Sequence, residues 1–232
     1  MADAETERDA VLDALDNVAA RLADEKSYLT DLDSAIGDAD HGANMQRGFG
    51  KAAEKRDEFE ELDPNEVVQN VGKTLISNVG GAAGPLYGGS IMFASQELED
   101  GITADTSVAF AETYLDKVKD RGGAEVGSKT MVDALVPAVH TYKKSIEQDD
   151  LPPLSALAKA VDAAERGVAF TVPLKALKGR ASFLDWRSVG HQDPGATSTL
   201  FILEALLATA ETYLDGAVER DAHAADAARR DE

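Results

Sequence analysis

An all-α fold is what this 232-residue sequence predicts. Three observations carry it. Apolar residues recur at the i, i+3, i+4, i+7 spacing of amphipathic helices nearly throughout. No stretch sustains the two-residue alternation of a half-buried strand. Segments rich in Gly, Pro and Asp break the pattern at intervals suited to helix connections.

The first helix is expected over about 5–28, on Val11, Leu12, Leu15, Val18 and Leu22. The second covers about 43–59 with Met45, Phe49 and Ala52 inward, and the third about 65–79 through Val67, Val71 and Leu75. A fourth follows Pro85, an acceptable first-turn residue, and carries Leu86, Ile91 and Phe93. Asp105 or Thr106 caps a fifth to about Lys119, and Ser128 or Thr130 caps a sixth through Met131, Leu135 and Val139. Pro153 opens a seventh to about Phe170. Asp193 as N-cap and Pro194 at the first position begin an eighth, to about Leu214. Residues 216–232, alanine- and charge-rich without a wide apolar face, read as a frayed tail. No composition break or repeat marks a second domain, so residues 1–232 read as one domain.

Short links between consecutive helices imply antiparallel neighbours. In an up-and-down arrangement the connections at 29–43, 80–84, 120–129 and 178–194 then share one end. These are the glycine-rich, polar and unusual ones, whereas 60–64, 98–105 and 147–153 are ordinary acidic turns.

Composition narrows the chemistry. With 43 acidic against 23 basic residues the formal net charge is −20, which repels nucleic acid and anionic membranes. Such a surface also suits concentrated salt, where screening suppresses self-repulsion, so a halophilic setting is expected. No cysteine is present, which removes disulfides and thiolate chemistry and fits a cytoplasmic protein. No apolar run reaches membrane-span length, and the acidic start MADAETERDA resembles neither a secretory signal nor a transit peptide.

The stretch TDLDSAIGDADHGANMQRGFG, residues 30–50, concentrates the chemistry. Asp31, Asp33, Asp38 and Asp40 with Gly37 and Gly42 suit a hard cation such as Mg2+, and the helix that follows presents its positive end to an anion. A solvated acidic turn is the plain alternative. A calcium EF-hand fails on position: counting from Asp38, position 5 is Gly42 and position 12 is Phe49 instead of a bidentate Glu.

At the shared end, Gly80 to Gly84 permit close backbone approach to phosphate, while Gly88 and Gly89 read as tight helix packing. Arg121 to Thr130 brushes against the P-loop pattern but has one residue too many and no preceding strand. Arg180 and Arg187, in the long connection before Asp193, are natural polyphosphate partners, or else form salt bridges with nearby carboxylates. His41 and His191 fall in these connections, whereas His140 and His223 do not.

The strings LTDLDSAIGDADHGANMQRGF, GGAAGPLYGG, GSKTMVDAL, KGRASF and RSVGHQDPGATS resemble the ADP-binding L subunits of dihydroxyacetone kinase, over about residues 5–215. The resemblance implies an eight-helix antiparallel barrel with nucleotide at one end. It implies that Asp33, Asp38 and Asp40 ligate two Mg2+ ions bridging the phosphates of ADP or ATP. It places His41, Gly42, Ala43, Asn44, Ala82, Ala83, Gly122, Met131, Arg180, Asp193, Pro194 and Gly195 at the nucleotide, with Arg180 and His41 nearest the chemistry. Asp31 receives no role.

By the same resemblance, dihydroxyacetone is held on a separate K subunit, and the phosphoryl group comes from a phosphohistidine on an M subunit of the phosphotransferase system. A homodimer is expected, and the chain's length fits the separate-subunit form. An ATP-exchanging kinase domain acting on dihydroxyacetone or another small substrate, such as a fatty acid, is the second reading. An idle nucleotide-binding regulator is the third. Two departures stand out: Ala82-Ala83 where the family usually carries a hydroxyl, and Asp185-Trp186 where Gly-Glu is common.

Overall fold

The computed structural model describes residues 3–220. Among these the chain is all-α, with ten α-helices and no strand. They are α1 (Ala4–Asp24), α2 (Lys26–Ile36), α3 (His41–Ala53), α4 (Arg56–Phe59), α5 (Pro64–Asn78), α6 (Gly89–Ala94), α7 (Ala104–Gly122), α8 (Val132–Glu147), α9 (Pro153–Thr171) and α10 (Pro194–Tyr213). No helix among the described residues is long and apolar enough to cross a membrane.

The count of ten corrects the expected eight, for two local reasons. The first helix breaks at Glu25, and the chain then stays helical to Ile36. Much of the segment expected as a loop at 29–43 is therefore α2, held by the buried face Leu29, Asp33 and Ile36. The second expected helix ends at Ala53, and a single turn, α4, buries Phe59.

The chain divides into two compact units, residues 1–26 with 43–123, and residues 27–42 with 124–232. In the first unit, Pro64 opens α5, and the Glu66 carboxylate accepts from the Asp63 N–H at 3.2 Å. Gly72 of α5 meets Gly88 backbone to backbone: a Cβ on either would lie 2.7 or 2.5 Å from the other's carbonyl oxygen. Residues Gly84–Gly88 form a π-helical turn that leads into α6. Thr103, not Asp105 or Thr106, caps α7; Thr106 answers it three residues on, with its hydroxyl accepting from the Thr103 N–H at 2.8 Å.

In the second unit, Gly167 of α9 lies against the Asp133 carbonyl of α8, where a Cβ would come within 2.2 Å. That contact joins the end of α9 to the start of α8, the antiparallel pairing that the short link at 148–152 requires. Ala134, Ala138, Ala158, Val161, Ala164, Ala196 and Leu200 form the core between α8, α9 and α10. Thr130, one of the two residues expected to cap α8, has its hydroxyl accepting from the Val132 N–H at 3.2 Å. The Asp133 carboxylate answers from inside the helix, accepting from the N–H groups of Gly127 at 2.5 Å and Thr130 at 2.8 Å. The long segment before α10 is not structureless: Arg180–Ser188 winds as 3-10 turns, kinked at Asp185 with φ 53°.

The expected tail begins as a packed strap. Ser155 Oγ donates to the Ala217 carbonyl at 2.9 Å, and Arg220 pairs with Asp162 and Glu165 of α9, each at 2.8 Å. Residues 221–232, with His223, lie outside the described residues.

Lys129 anchors the base of the 3-10 segment. It is 1% exposed with φ 60°, and its ammonium donates to the carbonyls of Ser188 at 2.6 Å and Leu174 at 3.2 Å. Burial lowers its pKa, with Asp193 opposing. Lys129→Met leaves these carbonyls without their donor, at a cost of roughly 2–4 kcal/mol. A thermal melt should show a Tm about 5–10 °C lower.

Candidate functional site

The acidic cluster is built from the end of α2 and the four-residue link to α3. Helical spacing with Leu29 and Ile36 turns Asp33 inward, while Asp31, two positions earlier, points to solvent. The link is short and sharply bent, with Ala39 at φ 62°, a left-handed conformation costly for an L-residue with a Cβ. Asp33 holds that bend. Its Oδ2 accepts from the backbone N–H groups of Asp40 at 2.8 Å and His41 at 3.1 Å, the latter the first residue of α3. The same carboxylate thus caps a helix with one oxygen and leaves the other for the cluster.

Carboxylate oxygens of Asp33, Asp38 and Asp40 lie within 4.8 Å of one another. Asp33 is buried and the other two are exposed, so the cluster opens outward. An all-oxygen donor set of three carboxylates fits a hard divalent cation such as Mg2+. Arg180, from the 3-10 segment, reaches the Asp38 carboxylate at 2.9 Å. Arg187 is exposed at the far end of that segment, as is His191 beyond it. The kink residue Asp185 is tied back by Lys175 at 2.8 Å, and the Lys175 ammonium sits over the Trp186 ring. Phe183 and Trp186 are 86% and 72% exposed, so the segment presents aromatic surface outward.

Also in the second unit, His41 Nε2 lies 2.9 Å from Ser198 Oγ, and that hydroxyl donates to the Gly195 carbonyl at 3.1 Å. Gly195 in turn leaves room for Met131, whose backbone nitrogen would sit 3.6 Å from a Cβ at that position. Burial lowers the His41 pKa, with Asp33 and Asp40 opposing. Asp193 caps α10 as the sequence predicts, accepting from the Ala196 N–H at 2.7 Å, with Pro194 at the first position. The structure therefore gathers Asp33, Asp38, Asp40, Arg180 and His41, and ties His41 through Ser198 to the Asp193-Pro194-Gly195 turn and Met131.

The remaining candidates, Gly42 apart, lie in the first unit. Asn44, buried in the first turn of α3, packs on Gly80, where a Cβ would meet its Oδ1 at 2.7 Å. Ala82 is exposed and Ala83 half-buried beyond Gly81, which has φ 62°. The Leu86 N–H donates to the Ala82 carbonyl at 3.1 Å, and the Leu86 side chain meets Gly122 at the end of α7. Ala43 is half-buried beside Gly42 on α3.

Sequence reasoning gave no role to two residues here, and named a third, Gly37, without the contact that makes it matter. Lys129 and Arg47 are held by carbonyls far along the chain. Gly37 matters because a Cβ on it would fall 2.0 Å from Asp33 Oδ1. Only for Gly37 was there a local signal, a glycine four residues after an aspartate at a helix end.

Burial raises the Asp193 pKa to about 7; Asp133 adds to the shift, while Lys129 and the N–H groups of Ala196 and Gly195 oppose it. A carboxyl with a folded pKa above its unfolded value holds its proton in the folded state while the unfolded chain releases it. Its contribution to stability therefore falls as pH rises from about 4 to about 7, and is flat above. Asp193→Asn keeps the cap and removes the titration. Melting both proteins at pH 5 and pH 7.5 in the same salt should show the variant gaining on the parent at the higher pH.

Comparison with known proteins identifies the family. The DAK2 domain family matches residues 35–208. The Escherichia coli K12 protein named PEP-dependent dihydroxyacetone kinase, ADP-binding subunit DhaL, is 44% identical over 189 residues, 81% of this chain and 90% of that one. The Lactococcus lactis subunit named ADP-binding subunit DhaL of PTS-dependent dihydroxyacetone kinase is 38% identical over 200 residues, 86% of this chain and 96% of that one. Among solved structures, dihydroxyacetone kinase from C. freundii in complex with AMP-PNP and Mg2+ matches with a TM-score of 0.66 and 28% identity. That likeness covers 85% of this chain and 33% of the longer one. A DAK2 match across most of its length, and high identity to nearly full-length relatives, place this chain in the family of ADP-binding DhaL subunits of dihydroxyacetone kinase.

Proposed function

We propose that this chain is the ADP-binding phosphoryl-transfer subunit of a dihydroxyacetone kinase, with the whole chain acting as one nucleotide-binding domain. It works with a K subunit holding dihydroxyacetone and an M subunit whose phosphohistidine is the phosphoryl donor, in the cytoplasm of a cell with high internal salt. The observation that carries this is the Asp33, Asp38 and Asp40 cluster with Arg180 on Asp38, in a chain 44% identical to a DhaL subunit.

Bound ADP would supply the oxygen that accepts and then releases the phosphoryl group, with two Mg2+ ions screening its phosphates. Asp33, Asp38 and Asp40 would hold the ions, Asp33 being the rigid member because its other oxygen is committed to two backbone N–H groups. Arg180, 68% exposed on a segment joined at its base to Lys129, exchanges its pairing with Asp38 for contact with the transferred phosphoryl group. His41, anchored on Ser198, serves as a hydrogen-bonding contact, with Gly42, Ala43 and Asn44 following it at the positive end of α3. Ala82 and Ala83 offer only backbone N–H groups to phosphate, with no hydroxyl to assist. Gly122, Met131, Asp193, Pro194 and Gly195 complete the nucleotide contacts. No residue here is assigned as a general base; the contribution is positioning and electrostatic stabilisation.

A second reading is an ATP-exchanging kinase domain, favoured by the likeness to a kinase described in complex with AMP-PNP and Mg2+. Reconstitution separates them. With K subunit and dihydroxyacetone, turnover driven by phosphorylated M subunit and not by millimolar ATP supports the proposal. Turnover by ATP alone supports the second reading and overturns the first.

A further inference from the structure

Arg47, one turn along α3 from Asn44, lies within the stretch 30–50 but has no role in the site so far. Its guanidinium spans two groups in the first unit. Nη2 donates to Asn44 Oδ1 at 2.6 Å, and Nε donates to the Asn78 carbonyl at 2.9 Å. The Asn78 carbonyl is the last of α5, at the negative end of that helix, where a cation is favoured. Asn44 is buried and pressed against Gly80, where a Cβ would lie 2.7 Å from its Oδ1 and 3.1 Å from its Nδ2.

The chemistry of this contact fixes a direction. A guanidinium has only donors, so the amide atom facing it is the oxygen. The amide NH2 of Asn44 is thereby left as the free end, a donor only. An amide held the other way would offer an acceptor, which repels phosphate oxygens. The fork geometry matters as well. One planar group reaching both Asn44 and the end of α5 locks the first turn of α3 to the Gly80–Gly84 loop, which a lysine at position 47 reaches with a single point charge.

We propose that Arg47 is a positioning residue that orients Asn44 as a hydrogen-bond donor to the nucleotide and holds it in register with the glycine loop. This rests on the nucleotide-binding reading above and adds to it a residue that touches no ligand itself. Arg47 works through Asn44, so its contribution disappears when Asn44 is absent.

A double-mutant cycle on ADP affinity tests this, measured by calorimetry with Mg2+ on the full chain. Arg47→Met should weaken ADP binding about tenfold, the scale of a charge-assisted hydrogen bond. Asn44→Ala should lose a similar factor, and the double variant should bind no more weakly than Asn44→Ala alone. Arg47→Lys, with charge but no fork, should fall between wild type and Arg47→Met, and it carries the test if Arg47→Met melts out. Equal losses from Arg47→Met with and without Asn44 would mean that Arg47 acts on the nucleotide directly or through the fold, and would overturn the inference. Wild-type affinity in Arg47→Met would do the same. Failure of wild type itself to bind ADP is a separate result, and removes the nucleotide reading together with this inference.

Discussion

Asp38→Ala should lose ADP binding by at least about 100-fold while keeping a near-native melt. Disturbing residues that merely orient metal ligands costs 10–100-fold in metal affinity, so removing a ligand outright costs no less. The fold is spared because Asp38 is exposed and its ion pair to Arg180 lies at the surface, where such pairs contribute little. Asp33 cannot be used so cleanly. It is buried and holds the Asp40 and His41 N–H groups, so its removal would damage the start of α3 as well as the cluster. Calorimetric titration of ADP at saturating Mg2+, beside a thermal melt, checks both halves of the prediction. A variant that melts normally and still binds ADP like the parent would take Asp38 out of the metal site.

Gly37→Ala should weaken Mg2+-dependent ADP binding by roughly tenfold or more, through a single methyl group. Gly37 is not among the positive-φ glycines, so the backbone tolerates alanine. The new Cβ, however, would sit 2.0 Å from Asp33 Oδ1 and 2.9 Å from its Cγ. A free carboxylate would swing aside at small cost. This one is pinned through Oδ2, so moving Oδ1 means giving up the bonds that form the bend or displacing the ligand atom. Comparing ADP affinity at low and saturating Mg2+ distinguishes the cause. Higher Mg2+ should recover part of the affinity if the metal ligand has moved, whereas a defect unchanged by Mg2+ would mean that the nucleotide contacts themselves are disturbed.

The helices legible in the sequence were those with strong end signals. Pro64, Pro153 and the Asp193-Pro194 pair mark their starts within a residue or so. α2 was not legible because its aspartates and the Gly37-Asp38 step that follows read as loop chemistry. Only three inward positions, one of them an aspartate, hold it. Consequently Asp33 was recognised as a candidate ligand but not as the cap of α3. The cap of α7 was missed by a few residues, and that of α8 was narrowed only to Ser128 or Thr130, because several Ser, Thr and Asp neighbours compete and only the folded backbone selects among them.

The site was legible as a set of residue types, since carboxylates, glycines and arginines announce their chemistry. Its supports were not. Arg47 is held by a carbonyl 31 positions away, and Lys129 by one 59 positions away. A basic residue in an acidic chain looks locally like any surface cation, and only long-range contacts mark it out.

The most direct test of the central claim is the nucleotide content of the protein itself. The chain is purified in high salt with Mg2+, denatured, and the released small molecules are separated by chromatography. Near-stoichiometric ADP, lost after prior treatment with EDTA, is what a metal-held phosphoryl-transfer coenzyme on Asp33, Asp38 and Asp40 predicts. Protein that carries no nucleotide and binds neither ADP nor ATP when Mg2+ is supplied would contradict it.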